Sequence, residues 1–362
     1  MLALNVAVMA ALVVYKFAID YPIIQYSFLL ADYHFGFMKR ALIGSVIGLF
    51  QDHIPLREVF WLALAAWLVT MALFVVLFKR TFGFSGDSLQ LFVFVFGSPF
   101  FFKNFFHTHG FFDIYGALFS IVALLIPMTR LYPLIVGAGC AALVLIHHLH
   151  FLLYVPAIGV IAVIRFFLMR ESSPLDIARG AIAALLPCAA FYASLRYGDA
   201  PVPPEVLLAY MKARASDPLP IVNITIWYTS AAEEFAKTAA AFSINGPRLP
   251  VFAVLIALHW PVIRFMCALI ASLANPLHRR LAMIGIAGVT ACYVVIFVFV
   301  FDYSRWFSSW AVCMFLVMHA LAMLQAQRGT PPAFAAPATR KRDEILGWVL
   351  TTIPRFGLMI PF

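Results

Sequence analysis

Charge is what this chain has least of. Asp, Glu, Lys and Arg make up only 11% of its 362 residues, while 64% are hydrophobic and the mean hydropathy is +0.97. Soluble domains carry roughly 25% charged residues, so a water-soluble globular fold is excluded. Amphipathic strands of about ten residues with alternating polarity are also missing, which excludes a transmembrane β-barrel. Cysteine is sparse. Cys140, Cys188, Cys267, Cys292 and Cys313 all fall in apolar segments and form no CxxC pair, so neither a disulfide framework nor a thiolate metal site is indicated. The opening segment lacks a basic leader and a small-residue cleavage site, and reads as a retained first helix. No soluble domain is left to hold nucleic acid. The net charge of +9 is better assigned to membrane orientation and anionic lipids.

What the chain has in abundance is apolar runs of about 20 residues, each sufficient to cross a hydrocarbon core. Helices then satisfy the backbone in lipid. The pattern predicts an all-α polytopic membrane protein of about ten transmembrane helices. They fall roughly over 2–19, 59–78, 88–102, 112–128, 132–149, 150–168, 178–195, 250–272, 281–301 and 307–325. Residues 1–328 read as one transmembrane domain, and 329–362 as a cytoplasmic tail with an amphipathic segment near 344–361. Segment 36–50 is too short to span and reads as interfacial or re-entrant. The long loop, about 198–248, holds two helical candidates near 204–215 and 230–243. With the N-terminus in the cytoplasm, the cytoplasmic connections carry Lys79-Arg80, Arg130, Arg165, Arg170, Arg179, His278-Arg279-Arg280, Arg328 and Arg340-Lys341-Arg342, as the positive-inside rule asks.

That topology sends ionisable residues from four connections to the outer face. Asp20, Asp32, His34, Lys39 and Arg40 follow the first span. Lys103, His107, His109 and Asp113 lie between the third and fourth. His147, His148 and His150 mark the junction of the fifth and sixth, and Asp302 and Arg305 lie between the ninth and tenth. Charge at membrane depth is costly and normally faces a cavity or another charge, so the convergence points to one extracytoplasmic site. Lys39-Arg40 suits either snorkelling to headgroups or gripping a lipid-linked phosphate through charge-assisted hydrogen bonds. Asp32 suits either a helix cap or a general base for an acceptor hydroxyl, with Asp20 the alternative base. His107-x-His109 with Asp113 has metal-ligand spacing, completed by His147 and His150, but HxH is a weak signal and no metal or other cofactor is assigned. His147 and His150 share a helical face at i and i+3. Asp302 and Arg305 have the same spacing and read as an ion pair or as a receptor for a diphosphate.

Together these residues resemble a GT-C-type membrane glycosyltransferase or a related surface-polysaccharide assembly protein. The first span is followed by Asp20 and Asp32, then by an interfacial segment, and later outer loops bring histidines, Lys103 and Arg305 to the same side. Gly36-Phe-Met-Lys-Arg-Ala-Leu-Ile-Gly44 is similar to a GFxxRxLxG-like pattern of bacterial polysaccharide-synthesis membrane proteins, and Asp302-x-x-Arg305-Trp306 resembles the same group. A tight acidic pair after the first span and a large soluble C-terminal domain are absent. The resemblance implies a bacterial inner-membrane enzyme whose active site faces the periplasm. It would transfer a sugar from a polyprenyl-phosphate or polyprenyl-diphosphate donor to a glycan or lipid acceptor. In that reading Asp32 or Asp20 activates the acceptor, while His107, His109, His147 and His150 orient the donor or protonate the leaving group. Lys39, Arg40, Lys103 and Arg305, with Asp113 and Asp302, form the phosphate-binding surface. A transporter or flippase of a lipid-linked or anionic substrate is the competing expectation, kept open by His259, Arg264 and His319 within spans.

Overall fold

The computed structural model describes residues 2–327 apart from 20, 23–24, 85, 99, 171, 220–223, 249, 251–253, 255–256, 258 and 300–301. Asp20 and the expected tail 329–362, with Arg340-Lys341-Arg342, lie outside the described residues. The described chain is helical. Its only sheet-like pairing among the described residues is a single parallel bridge, Ile54 with Ala215.

In chain order the helices are α1 (Leu2–Ala18), α2 (Tyr26–Leu30), α3 (Leu42–Gly48), α4 (Arg57–Phe82), α5 (Gly86–Gly97), α6 (Asn104–His107), α7 (Asp113–Leu125), α8 (Tyr132–Ile146), α9 (His150–Leu153) and α10 (Val155–Ala162). A wide turn, Val163–Leu168, continues α10. Then come α11 (Pro174–Tyr197), α12 (Pro204–Arg214), α13 (Ala231–Asn245), α14 (Trp260–Ala271), α15 (Pro276–Phe299) and α16 (Tyr303–Ala326). Four are long and apolar enough to cross a membrane: α4, α11, α15 over Pro276–Phe297 and α16 over Arg305–Ala326. Five other expected spans are shorter apolar helices: Ala3–Ala18, Asp113–Leu125, Tyr132–Ile146, Val155–Leu168 and Val262–Ala271. The remaining one, α5, has 12 residues.

The shortening has local causes. Pro127 follows Ile126, whose ψ of 144° is the extended conformation a following proline imposes, and α7 stops there. α5 stops at Gly97, where Ser98 and Pro99 follow. The two helices expected in the long loop are present as α12 and α13. Pro204 opens α12, and a reciprocal Ser230–Glu233 capping box opens α13.

Two cores organise these elements. In the larger one α16 is the axis: 89% of its membrane-length window is enclosed, against 44% for α4, 22% for α15 and 17% for α11. It buries Val312, Phe315, Leu316, Val317, Leu321 and Leu324 against α4, α7, α10 and α14. α11 and α15 line the outside and expose Leu185, Tyr192, Ile284 and Val294. The second core is a lobe formed by segment 26–59 and the long loop. Tyr26, Phe28, Leu30, Met38, Ile54, Leu207, Met211 and Trp227 are buried together there.

Candidate functional site

The lobe fixes the charged stretch after the first helix. Arg214, at the end of α12, reaches back to Asp32 with Nη1 2.7 Å from Oδ2. It also donates to the Leu30 carbonyl at 2.8 Å and the Gly44 carbonyl at 3.2 Å. Asp32 accepts further bonds from the Tyr210 hydroxyl at 2.7 Å and the His34 N–H at 2.9 Å. Such closeness requires glycine at 44, because a Cβ there would stand 1.9 Å from the Ala31 carbonyl oxygen. Burial, and after it the Asp32 carboxylate, pushes the Tyr210 phenol up to about 12. Asp32 therefore ties the lobe together. Lys39 does the same from the next turn: its ammonium meets Asp199 at 2.6 Å and the Thr229 carbonyl at 3.3 Å.

The backbone of Lys39 is held at both ends. Its N–H donates to the Gly198 carbonyl at 2.8 Å, and its carbonyl accepts the Trp227 indole N–H at 2.7 Å. Arg40, immediately after this clamp, adopts φ +63°, alone among the described non-glycine residues in being left-handed. A non-glycine residue in that region is strained, and such strain persists only where the surroundings over-determine it. The Arg40 side chain is buried and lies over the Phe28 ring, 5.6 Å from its centroid. Phe28 in turn meets Phe112 at 5.4 Å. Asp113, the first residue of α7, follows directly.

Around Asp113 the convergence is extensive. Arg305, from the first turn of α16, places Nε 2.7 Å from Asp113 Oδ2 and Nη1 3.0 Å from Asp302 Oδ2. Its guanidinium lies over the rings of Phe111, at 4.4 Å, and Trp306, at 4.0 Å. Asp113 is 1% exposed and the Arg305 side chain 8%, so this is a buried pair whose members depend on each other. The loop between α8 and α9 adds three imidazoles. His147 lies 5.5 Å from both His148 and His150, ring centre to ring centre. Arg40 acts electrostatically on Asp113 and on all three histidines, Arg305 on His147 and His150, and Lys39 on His148. The His150 ring faces the Phe112 backbone, yet neither nitrogen makes a hydrogen bond of ordinary geometry. His148 Nδ1 likewise has no hydrogen-bond partner. Below them Tyr154 stacks edge-on to His150 at 5.3 Å and donates to Ser309 Oγ at 3.0 Å.

The structure thus brings together Arg40, Asp113, His147, His150, Asp302 and Arg305 of the expected residues, with His148 beside them. Lys39 borders the group through His148 but is engaged within the lobe, as is Asp32. Lys103 is elsewhere. Its ammonium contacts Asn5 Oδ1, which lies 13 residues before the end of α1, about 20 Å along the helix at 1.5 Å per residue. The neighbouring Phe102 carbonyl accepts from Trp67, well inside α4. Residues 100–110 therefore climb back through the bundle rather than run over its surface. His109, higher on that climb, bonds the Phe60 carbonyl at 3.0 Å, and His107 closes α6 half-buried. The HxH spacing does not assemble a metal site: among the described residues no group of three or more His, Cys, Asp or Glu side chains is arranged to hold a metal ion. Sequence reasoning missed Tyr210, Arg214, Asp199 and Trp227. The one available signal was the helix expected near 204–215, which the structure ends at Arg214. Family models, curated proteins and solved structures give no match to this chain.

Proposed function

We propose that this chain is a membrane glycosyltransferase or polysaccharide polymerase working at the extracytoplasmic face of a bacterial inner membrane. The donor is a polyprenyl-phosphate- or polyprenyl-diphosphate-linked sugar, and the acceptor is a glycan or lipid. The observation that carries the reading is the gathering of Arg40, Arg305, Asp113 and three histidines from four distant stretches at the base of one lobe. Arg40, on its strained backbone, is the phosphate-binding cation. Arg305, held by two carboxylates and two rings, sets the positive field behind it. Cations aimed at a developing phosphate leaving group contribute roughly 3–4 kcal/mol each to lowering a barrier. Since Asp32 is already engaged by three donors, the acid–base role falls to His148, whose buried Nδ1 has no hydrogen-bond partner.

The test is transfer by the purified full chain from defined polyprenyl-diphosphate sugars, reading release of the lipid diphosphate. Transfer by wild type and its loss in folded Arg40→Ala is the expected result. Turnover by Arg40→Ala near the wild-type rate overturns the assignment. A transporter or flippase is the second reading, favoured by Lys103 and the Ser98–His259 pair buried within the bundle. It gains if labelled donor crosses vesicles intact.

A further inference from the structure

The interior polar group around Lys103 is separate from the outer one. The Lys103 side chain is 1% exposed, and its ammonium meets Asn5 Oδ1 at 3.3 Å and the Gly97 carbonyl at 3.4 Å. Both partners are neutral, and both distances are long for a charged donor, which usually sits at about 2.7–2.9 Å. None of the ion pairs among the described residues includes Lys103. Capping the end of α5 is a small gain beside the cost of burying a cation without a counter-charge, so the cap does not explain the residue.

The same peptide unit that gives Lys103 its carbonyl carries Ser98. Ser98 is fully buried and its Oγ stands 2.8 Å from His259 Nε2. Phe94, Phe100 and Phe101 wall the imidazole at 5.4–5.7 Å. A buried cation on the Gly97 carbonyl and a buried hydroxyl–imidazole pair on Ser98 therefore flank one peptide unit just past the end of α5. We propose that Lys103 with the Ser98–His259 pair forms an internal anion site that takes one phosphate-type oxyanion. The ammonium supplies the counter-charge, and the hydroxyl or imidazole donates a hydrogen bond. α1 covers the site through Asn5 and exposes Leu4, Val6 and Val14 on its other face. The oxyanion could thus arrive as a free ion or as a lipid headgroup, and the inference does not depend on the transfer reading.

The experiment is thermal unfolding of the detergent-purified full chain carrying Arg40→Ala, which removes the outer phosphate-binding cation. It is titrated with inorganic phosphate, with phosphatidylglycerol and with phosphatidylcholine as the zwitterionic control. A concentration-dependent rise in Tm with phosphate assigns a free anion, and a rise with phosphatidylglycerol but not phosphatidylcholine assigns a headgroup. Adding Lys103→Met is expected to abolish that rise, with an unliganded Tm at or above its parent, while Lys103→Arg keeps the rise. Absence of any anion-dependent rise overturns the proposal, as does an undiminished rise with Lys103→Met. If Lys103→Met does not fold, His259→Phe is read instead, and an unchanged anion response there also overturns it.

Discussion

Replacing Asp32 by Asn and Arg214 by Met, singly and together, separates a catalytic Asp32 from a clasp. The two side chains are 15% and 9% exposed and meet at 2.7 Å, so solvent screens them little. Unit charges about 4 Å apart at an effective dielectric of 20 attract by about 4 kcal/mol. Desolvation offsets part of this, and double-mutant coupling for close, largely desolvated pairs begins near 1.5 kcal/mol. We expect a coupling energy of about 2–3 kcal/mol, against less than about 1 kcal/mol for an exposed pair. Each single variant should lose more than the coupling alone. Arg214→Met also releases the Leu30 and Gly44 carbonyls, and Asp32→Asn leaves a buried guanidinium facing an amide. The measurement is reversible unfolding in mixed micelles for all four proteins, with transfer assayed in parallel. A coupling below about 0.5 kcal/mol would refute the clasp. Recovered turnover in the double variant would show that Asp32 is not the base.

Four further outcomes follow from the same geometry. Gly44→Ala should destabilise the lobe by about 1–3 kcal/mol, because the new Cβ meets the Ala31 and Leu29 carbonyl oxygens at 1.9 and 2.7 Å; unchanged unfolding would mean α3 does not lie on that backbone. Arg40→Gly should be more stable than Arg40→Ala by about 1 kcal/mol, since glycine adopts a positive φ without penalty, while both lose transfer; equal stabilities would remove the strain. The Tyr210 phenol, pushed up to about 12 in the fold from about 10 when unfolded, contributes stability that is complete below pH of about 10. That stability is lost as pH rises toward the folded value, so an alkaline unfolding profile should flatten in Tyr210→Phe, and an identical profile would exclude the contact. Arg305→Ala leaves Asp113 charged and buried, at a cost of about 3–5 kcal/mol. Folding should return in the Asp113→Asn/Arg305→Ala double variant without return of transfer, as yield and turnover together would show.

Helicity and the two loop helices were legible because composition, Pro204 and the Ser230–Glu233 box act locally. The number of full-length spans was not, because hydropathy averages across the breaks at Gly97 and Pro127 that shorten α5 and α7. Lys103 shows the same weakness: a hydropathy window assigns it to an outer connection, whereas the chain turns back and buries it beside Asn5. The Asp302–Arg305 pair was readable from its i, i+3 spacing, and the structure holds it at 3.0 Å. The pairing of Arg305 with Asp113 was not, nor was the bond between Tyr210 and Asp32 across 178 residues. No local pattern encodes such partners; they are created when the lobe closes. The strain at Arg40 is likewise imposed from outside, by Gly198 and Trp227 gripping its neighbour.

The helix at the axis of the bundle is also the last of the described helices to leave the ribosome. Every partner of α16 among the described helices is synthesised before their common centre exists. Until α16 arrives, Asp113 has no guanidinium opposite it and the Tyr154 hydroxyl has no Ser309. Without α16 the faces of α4, α7, α10 and α14 that pack on it have no cover. The core of the bundle can therefore close only after the whole of α16 has been made.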